Sequence, residues 1–315
     1  MFKYWSLMMF AGAALVAPAA DMEWMTSVED AAAKAARHNK MMLVWFTGSD
    51  WCKACMYLKK NVLDKPEFAQ WVRKNYVPVE LDVPMNAALV GGEEQLRQNK
   101  KFCDDFGIKI FPSLMIVTPE LVFLGGIQGS SSSTQNTIAA LSGYQSVVDS
   151  YQRAMKLTAE PRARALFEVY KQLPQELQSV NYPLMQLIAE ADADNVIGIR
   201  ESYLPIHQMK ELENQLNTVP SFQAKLTVVD AALQQALPAN KTAILRQKEM
   251  LLKMEVFNLL KNPRSVEDIL KARDLSVQAV ECSENVQSHA AQKQKVLDYF
   301  SNPEALFKAR TQSQK

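Results

Sequence analysis

The chain has 315 residues, of which 48% are hydrophobic and 22% are charged, and its formal net charge is +1. This length is enough for about two domains of roughly 100–200 residues each. The composition is that of an ordinary globular protein and does not indicate disorder outside the polar tail from Thr311 to Lys315. A charge so close to zero gives no electrostatic reason to expect a nucleic-acid partner or a strongly acidic one.

The first twenty residues have the pattern of a secretory signal. Lys3 supplies a positive charge, residues 7–16 form a short apolar core, and Ala17-Pro18-Ala19 is an A-x-A-like cleavage site. The apolar run is shorter than the span of about 20 residues that a membrane helix needs. We therefore expect residues 1–20 to be a cleaved signal peptide. The mature chain is then exported, and the periplasm is the expected compartment. An uncleaved membrane anchor is the alternative.

The next part of the chain alternates between helix and strand patterns. Apolar spacing, caps and turn residues predict these elements in order: helix 28–38, strand 41–46, helix 52–75 bent near Pro66, strand 76–83, helix 93–105, a hairpin of strands 113–117 and 121–124, a Gly/Ser-rich stretch 125–133 and helix 134–151. The order predicts a mixed sheet flanked by helices, in a domain over residues 21–154.

No strand pattern is found after residue 155, so residues 155–315 are predicted to be an all-α helical domain. Asn-Pro pairs at 262–263 and 302–303 are each followed by a helix-like stretch that contains Lys-Ala-Arg. The distance between the two pairs is close to the period of helical repeats, but the pattern occurs only twice. Met250, Met254 and Phe257 lie at helical spacing and are most simply core residues. Recruitment of a partner is the alternative role of this half.

The four cysteines include one close pair, Cys52-Lys53-Ala54-Cys55, which follows a buried strand and opens a helix. Backbone N–H groups and the helix dipole at that position favour a thiolate, so the pKa of Cys52 should fall from about 8.5 towards neutrality. Lys53 adds to this effect, and Cys55 should be the shielded resolving thiol. Cys103 and Cys282 are isolated and are expected to be free and buried, with a bridge between them as the alternative.

Two motifs in this region resemble those of the thioredoxin superfamily. Trp51-Cys52-x-x-Cys55 after a hydrophobic strand is similar to that family's active site, and residues 106–113, with Phe111 and Pro112, resemble its second signature. The resemblance covers residues 22–153 and implies a thioredoxin fold and disulfide exchange with protein substrates. It also implies that Pro112 is cis and binds substrate together with Trp51 and Phe111. It implies no organic cofactor, and a membrane or periplasmic redox partner.

Three departures from the family bear on the chemistry. The family's reductases carry a buried aspartate in the strand before the active site, which aids proton transfer to the resolving cysteine; here that strand has Trp45 or Phe46 instead. Glu80 on the adjacent predicted strand is a candidate for this carboxylate, and the alternative is that it is an exposed strand residue. Lys53-Ala54 replaces a Gly-Pro dipeptide that helps to set the redox potential. The segment 84–98 is longer than in the minimal fold and is expected to cover one edge of the site.

Other kinds of site fit less well. A zinc site needs a second pair of ligands, but the three histidines are scattered and Cys103 stands alone. We therefore predict no metal and a periplasmic thiol–disulfide oxidoreductase, with Cys52 as nucleophile and Cys55 as resolving cysteine. The alternative is an interaction module whose helical half binds a partner protein, with redox chemistry secondary.

Overall fold

The computed structural model describes residues 22–131, 133–283 and 286–312. The predicted signal peptide and the end of the polar tail lie outside the described residues. The chain divides into two compact units, one ending at Ile199 and the other beginning at Arg200. The domain boundary near residue 154 stays a prediction.

The first unit begins with the alternating elements that the sequence predicts. They are α1 (Val28–His38), β1 (Met41–Thr47), α2 (Lys53–Leu58), a π-helical turn (Lys59–Leu63), α3 (Pro66–Asn75), β2 (Tyr76–Asp82), a 3-10 turn (Ala87–Val90), α4 (Glu93–Asp105), β3 (Ser113–Val117), β4 (Phe123–Gln128) and α5 (Thr134–Ser142). The predicted bend at Pro66 is confirmed as a break, because this proline is the first residue of α3.

The four strands form one mixed sheet in the order β2-β1-β3-β4. β1 is parallel to β2 and antiparallel to β3, and β3 is antiparallel to β4. Every residue of β1 is buried, because helices cover both faces of the sheet. Met42, Val44 and Phe46 share a core with α1 and α4. The alternate residues, including Trp45, therefore face the layer that begins at the Cys-x-x-Cys helix.

The second strand of the hairpin differs from its prediction at 121–124. β4 runs from Phe123 to Gln128 and includes Gly125 and Gly126, which the sequence placed in a loop. Both glycines are needed for close packing: a Cβ on Gly125 would overlap the ring of Tyr144, whose hydroxyl donates a 2.9 Å hydrogen bond to the Gly126 carbonyl. The predicted helix 134–151 is likewise split: α5 ends at Ser142, and the next helix begins at Gln145, after Tyr144.

Four further helices complete the first unit: α6 (Gln145–Met155), α7 (Ala159–Gln172), α8 (Gln175–Val180) and α9 (Tyr182–Ala191). α7 packs on α6 and α9, and α8 packs on β4. The buried side-chain amide of Asn181 accepts from the backbone N–H of Phe123 at 3.1 Å and donates to its carbonyl at 2.7 Å. Helices beyond residue 155 are thus bonded to the sheet through its β4 strand.

All regular elements of the described second unit are helices: α10 (Arg200–Thr218), α11 (Phe222–Gln234), α12 (Lys241–Lys261), α13 (Val266–Cys282), a 3-10 turn (Val286–Ser288), α14 (His289–Tyr299) and α15 (Pro303–Gln312). α12 packs on α11 and α13, and α13 also contacts α14 and α15. The repeat-like character stays a prediction. None of the described helices is long and apolar enough to cross a bilayer.

The expectation that Met250, Met254 and Phe257 are core residues is wrong. All three side chains are exposed on α12. The helix buries Leu251 and Leu252 instead, because α11 and α13 pack on that side of it. Apolar residues occur on both sides of α12, so the sequence pattern alone did not identify the buried face.

Candidate functional site: a disulfide at a helix start

The Cys52–Cys55 pair is a disulfide at the start of α2, with the two Cα atoms 5.2 Å apart. Cys52 is the N-cap residue, and its sulfur accepts a 3.1 Å hydrogen bond from the backbone N–H of Cys55. Cys52 is 6% exposed and Cys55 is 1% exposed. The Cys52 sulfur therefore lies at the N-terminal end of α2 and is bonded by one N–H of its first turn, at the position that the sequence predicts.

A dense set of hydrogen bonds fixes the loop that precedes Cys52. The carboxylate of Asp82 accepts from the Ser49 backbone N–H at 2.8 Å and from its hydroxyl at 2.5 Å. The carboxylate of Asp50 accepts from the backbone N–H groups of Met85 and Asn86 at 2.9 and 3.0 Å. The bond from Met85 is the main cause that lowers the pKa of Asp50. The loop is thus bonded to the segment that follows β2.

Trp51 flanks the disulfide from the same loop. Its indole Nε1 donates to the Val83 carbonyl at 2.8 Å, and its ring meets the ring of Phe111 edge-on, with the centroids 5.4 Å apart. The indole lies so close to Gly48 that a Cβ there would overlap it, so only glycine fits at that position. Trp51 remains 39% exposed, which leaves part of its ring available to a partner.

The second predicted motif lies beside Trp51. The Phe111–Pro112 peptide bond is cis, as the resemblance implies. The Ser113 hydroxyl donates to the Ile110 carbonyl at 2.6 Å, and the Pro112 carbonyl accepts from the Gly129 N–H at 2.7 Å. The fold thus brings Phe111 to Trp51 from about 60 residues further along the chain. The substrate-binding role of these residues stays a prediction.

The two candidate modulators have different surroundings. Lys53 is the exposed first residue of α2, next to Cys52. Glu80 is half-buried on β2, opposite Trp45 in the parallel pairing, and so faces the same layer as the disulfide helix. Burial raises the pKa of Glu80, the charge of Asp82 adds to this, and Lys59 opposes it. The buried Nε1 of Trp45 has no hydrogen-bond partner in the described part of the chain.

The other two cysteines are free and buried, as predicted, and no bridge joins them. Burial is the main cause that raises the pKa of Cys103 to about 12 and that raises the pKa of Cys282. Both thiols are therefore protonated and unreactive at neutral pH. Among the described residues, no group of three or more His, Cys, Asp or Glu side chains is placed to hold a metal ion.

The hydrogen-bonding residues of the loop were missed from the sequence. Ser49, Asp50 and Asp82 position the disulfide helix, yet nothing in their local pattern distinguishes them from ordinary loop and strand-end residues. The one available signal was the parallel pairing of the predicted strands. It places the end of β2, with Asp82, directly beside the end of β1 at Thr47.

Comparison with known proteins supports this description of the N-terminal part. Residues 23–119 match a family model described as thioredoxin-like. The chain is 28% identical over 102 residues to the disulfide bond reductase DsbH of Chlamydia pneumoniae, which is 32% of this chain and 60% of that protein. It is 31% identical over 97 residues to the thioredoxin-related protein DsbJ of the same organism, which is 31% of this chain and 27% of that protein.

The chain thus covers less than two thirds of the length of either relative. A solved structure described as DsbH oxidoreductase is 22% identical, covers 45% of this chain and 94% of that chain, and gives a TM-score of 0.38. The family match, the mixed sheet and the Cys52–Cys55 pair agree with one another. Residues 23–119 therefore form a thioredoxin-like domain, and a largely helical region follows it in the chain.

Proposed function

We propose that this chain is an exported thiol–disulfide oxidoreductase that exchanges disulfides with protein substrates through Cys52 and Cys55. The observation that carries the proposal is the disulfide at the start of α2, in which the Cys52 sulfur accepts a backbone hydrogen bond. After reduction, the Cys55 N–H and the positive end of the helix dipole would stabilise a thiolate on Cys52. Cys55 is almost fully buried, so its thiol can reach the Cys52 sulfur but not a substrate, which suits a resolving cysteine.

The reaction needs no reagent beyond the two partners. In the reduced protein, the Cys52 thiolate attacks one sulfur of a substrate disulfide, and the other substrate sulfur leaves as a thiolate and takes up a proton. Cys55 then loses its proton and attacks Cys52, which releases the second substrate sulfur as a thiol. Two electrons and two protons have passed to the substrate, and the Cys52–Cys55 disulfide remains. Run backwards, the same steps oxidise a substrate dithiol.

Continued turnover requires a second redox partner. We propose a periplasmic or membrane dithiol protein that reduces the Cys52–Cys55 disulfide again. The reducing direction is supported by the name of one relative, a disulfide bond reductase. Export is supported by the signal-like pattern of residues 1–20.

A second candidate function is an interaction module, in which the helical region binds a protein and the redox chemistry is secondary. The observation that favours it is the exposed apolar stripe of Met250, Met254 and Phe257 on α12. Contiguous exposed apolar surface is characteristic of protein interaction sites.

Trapping separates the two functions. A Cys55→Ser variant lacks the resolving thiol, so it should accumulate mixed disulfides that disappear on reduction and are lost in Cys52→Ser. The double variant Cys52→Ser/Cys55→Ser is the matched control for binding. If the double variant captures the same proteins as the trap, and no mixed disulfide forms, the oxidoreductase proposal is contradicted and the interaction module is favoured.

A further inference from the structure

The segment that follows β2 exposes two large apolar side chains beside the disulfide loop. Met85 is 82% exposed and Leu89 is 57% exposed. This position is unusual, because the same segment supplies the backbone groups that bind the loop: the N–H of Met85 to Asp50 and the carbonyl of Val83 to Trp51. The backbone of Met85 is therefore held at the loop, Leu89 follows four residues later in the same segment, and both side chains are exposed.

The segment is also rigidly anchored, which a selective surface requires. Its 3-10 turn, Ala87–Val90, begins at Asn86, whose side chain accepts from the Ala88 N–H at 3.1 Å. Ala87 is buried in the main core, and Val90 packs against that core. The exposed side chains thus stand on a fixed backbone, so a partner that contacts them does not have to order the segment first.

The charges around the site indicate which sequences fit. Lys53, beside Cys52, and Lys109, in the loop before Phe111, are both exposed, and neither forms an ion pair within the described ranges. The nearest acidic group of the loop, Asp50, already accepts two backbone hydrogen bonds. Lys53 directly follows Cys52, and Lys109 lies two residues before Phe111, whose ring contacts Trp51, so an unpaired cation accompanies each of the two motifs of the site. These cations complement an acidic partner segment.

We propose that Met85 and Leu89, together with Trp51, form a specificity wall that selects polypeptides whose reacting cysteine lies beside a large apolar side chain in an acidic sequence. This inference rests on the proposed function, because it names the substrate class of the same disulfide. An extended peptide bound at Cys52 places its neighbouring side chain against the wall and an acidic group near Lys53 or Lys109.

The test compares peptides that differ only beside the cysteine. Each peptide is a mixed disulfide with glutathione, with Leu-Cys-Leu-Glu, Ser-Cys-Ser-Glu or Leu-Cys-Leu-Lys at its centre. The rate constant for reduction by the reduced protein is normalised to that for hydroxyethyl disulfide. The wild type should reduce the leucine peptide about ten-fold faster than the serine peptide, which corresponds to about 1.4 kcal/mol. It should reduce the glutamate peptide faster than the lysine peptide.

Variants test which side chains cause the preference between peptides. In Met85→Ser/Leu89→Ser the leucine-to-serine ratio should fall to about two or less, whereas Leu297→Ser, which changes an exposed leucine of the second unit, should keep the wild-type ratio. Lys109→Gln should reduce the glutamate-to-lysine ratio. A wild-type ratio near one, or an unchanged ratio in the double variant, overturns the specificity wall. If the wild type reduces neither the peptides nor hydroxyethyl disulfide, the proposed function itself has failed.

Discussion

Asn181 offers a direct test of how far the cooperative unit around the disulfide extends. This residue lies outside the family match at 23–119, yet its amide bonds both the N–H and the carbonyl of Phe123 in β4. Both Asn181 and Phe123 are buried, so Asn181→Ala leaves two buried backbone groups without partners. Each such group costs about 1–3 kcal/mol, so we expect a loss of about 3–4 kcal/mol in the free energy of unfolding.

The assay uses tryptophan fluorescence during urea unfolding. The tryptophans of the described residues are Trp24, Trp45, Trp51 and Trp71, so their fluorescence in the chain without residues 1–20 reports on the first unit. Asn181→Asp keeps the acceptor for the Phe123 N–H but places an oxygen against its carbonyl, so this variant should be at least as unstable. Gln172→Ala, at an exposed position at the end of α7, is the control and should stay within about 0.5 kcal/mol of wild type. A loss below about 1 kcal/mol in Asn181→Ala would refute the reasoning.

Three further predictions concern the surroundings of the disulfide. Burial raises the pKa of Glu80, so the protonated carboxyl stabilises the fold below the unfolded pKa of about 4.3, and this contribution is lost as pH rises through the higher folded value. Glu80→Gln should therefore gain stability relative to wild type as pH rises above about 4 in urea titrations. In the reduced protein, iodoacetamide at pH 7.5 should modify Cys52 first and reach Cys103 and Cys282 only after unfolding, as read by mass spectrometry. Ser49→Ala removes the hydroxyl bond to the Asp82 carboxylate and should lower stability by about 1–2 kcal/mol, whereas an unchanged midpoint would contradict the role of that bond.

Elements with a strong local pattern were predicted to the residue. The helix at 93–105 and the strand at 113–117 have the predicted bounds, because the apolar spacing and turn residues alone determine them. The bounds of β4 were not predicted, because Gly125 and Gly126 are typical loop residues. In the structure the ring of Tyr144 lies against Gly125, and Gly126 packs against Leu114 and Met115 of β3. Such contacts depend on how distant segments meet, which a local pattern does not contain.

The same distinction holds at the site. The cysteine pair and its helix start could be predicted, because spacing and local context define them. The pairing of Asp82 with Ser49 could not, since it depends on two strands ending side by side. The bonds of the Asn181 amide to both backbone groups of Phe123 could not be predicted either, since the two residues are 58 positions apart in the chain.

The reduction potential of the Cys52–Cys55 pair tests the central claim most directly. The protein is equilibrated in glutathione and dithiothreitol buffers of graded potential, and the alkylated fraction of each cysteine of the pair that is present, Cys52 or Cys55, is measured by mass spectrometry. We predict a reversible two-electron transition with one midpoint between about −270 and −120 mV, the range of thioredoxin-fold oxidoreductases, and its loss in Cys52→Ser. If the wild type shows no reversible transition, or if the transition persists in Cys52→Ser, the oxidoreductase account is contradicted.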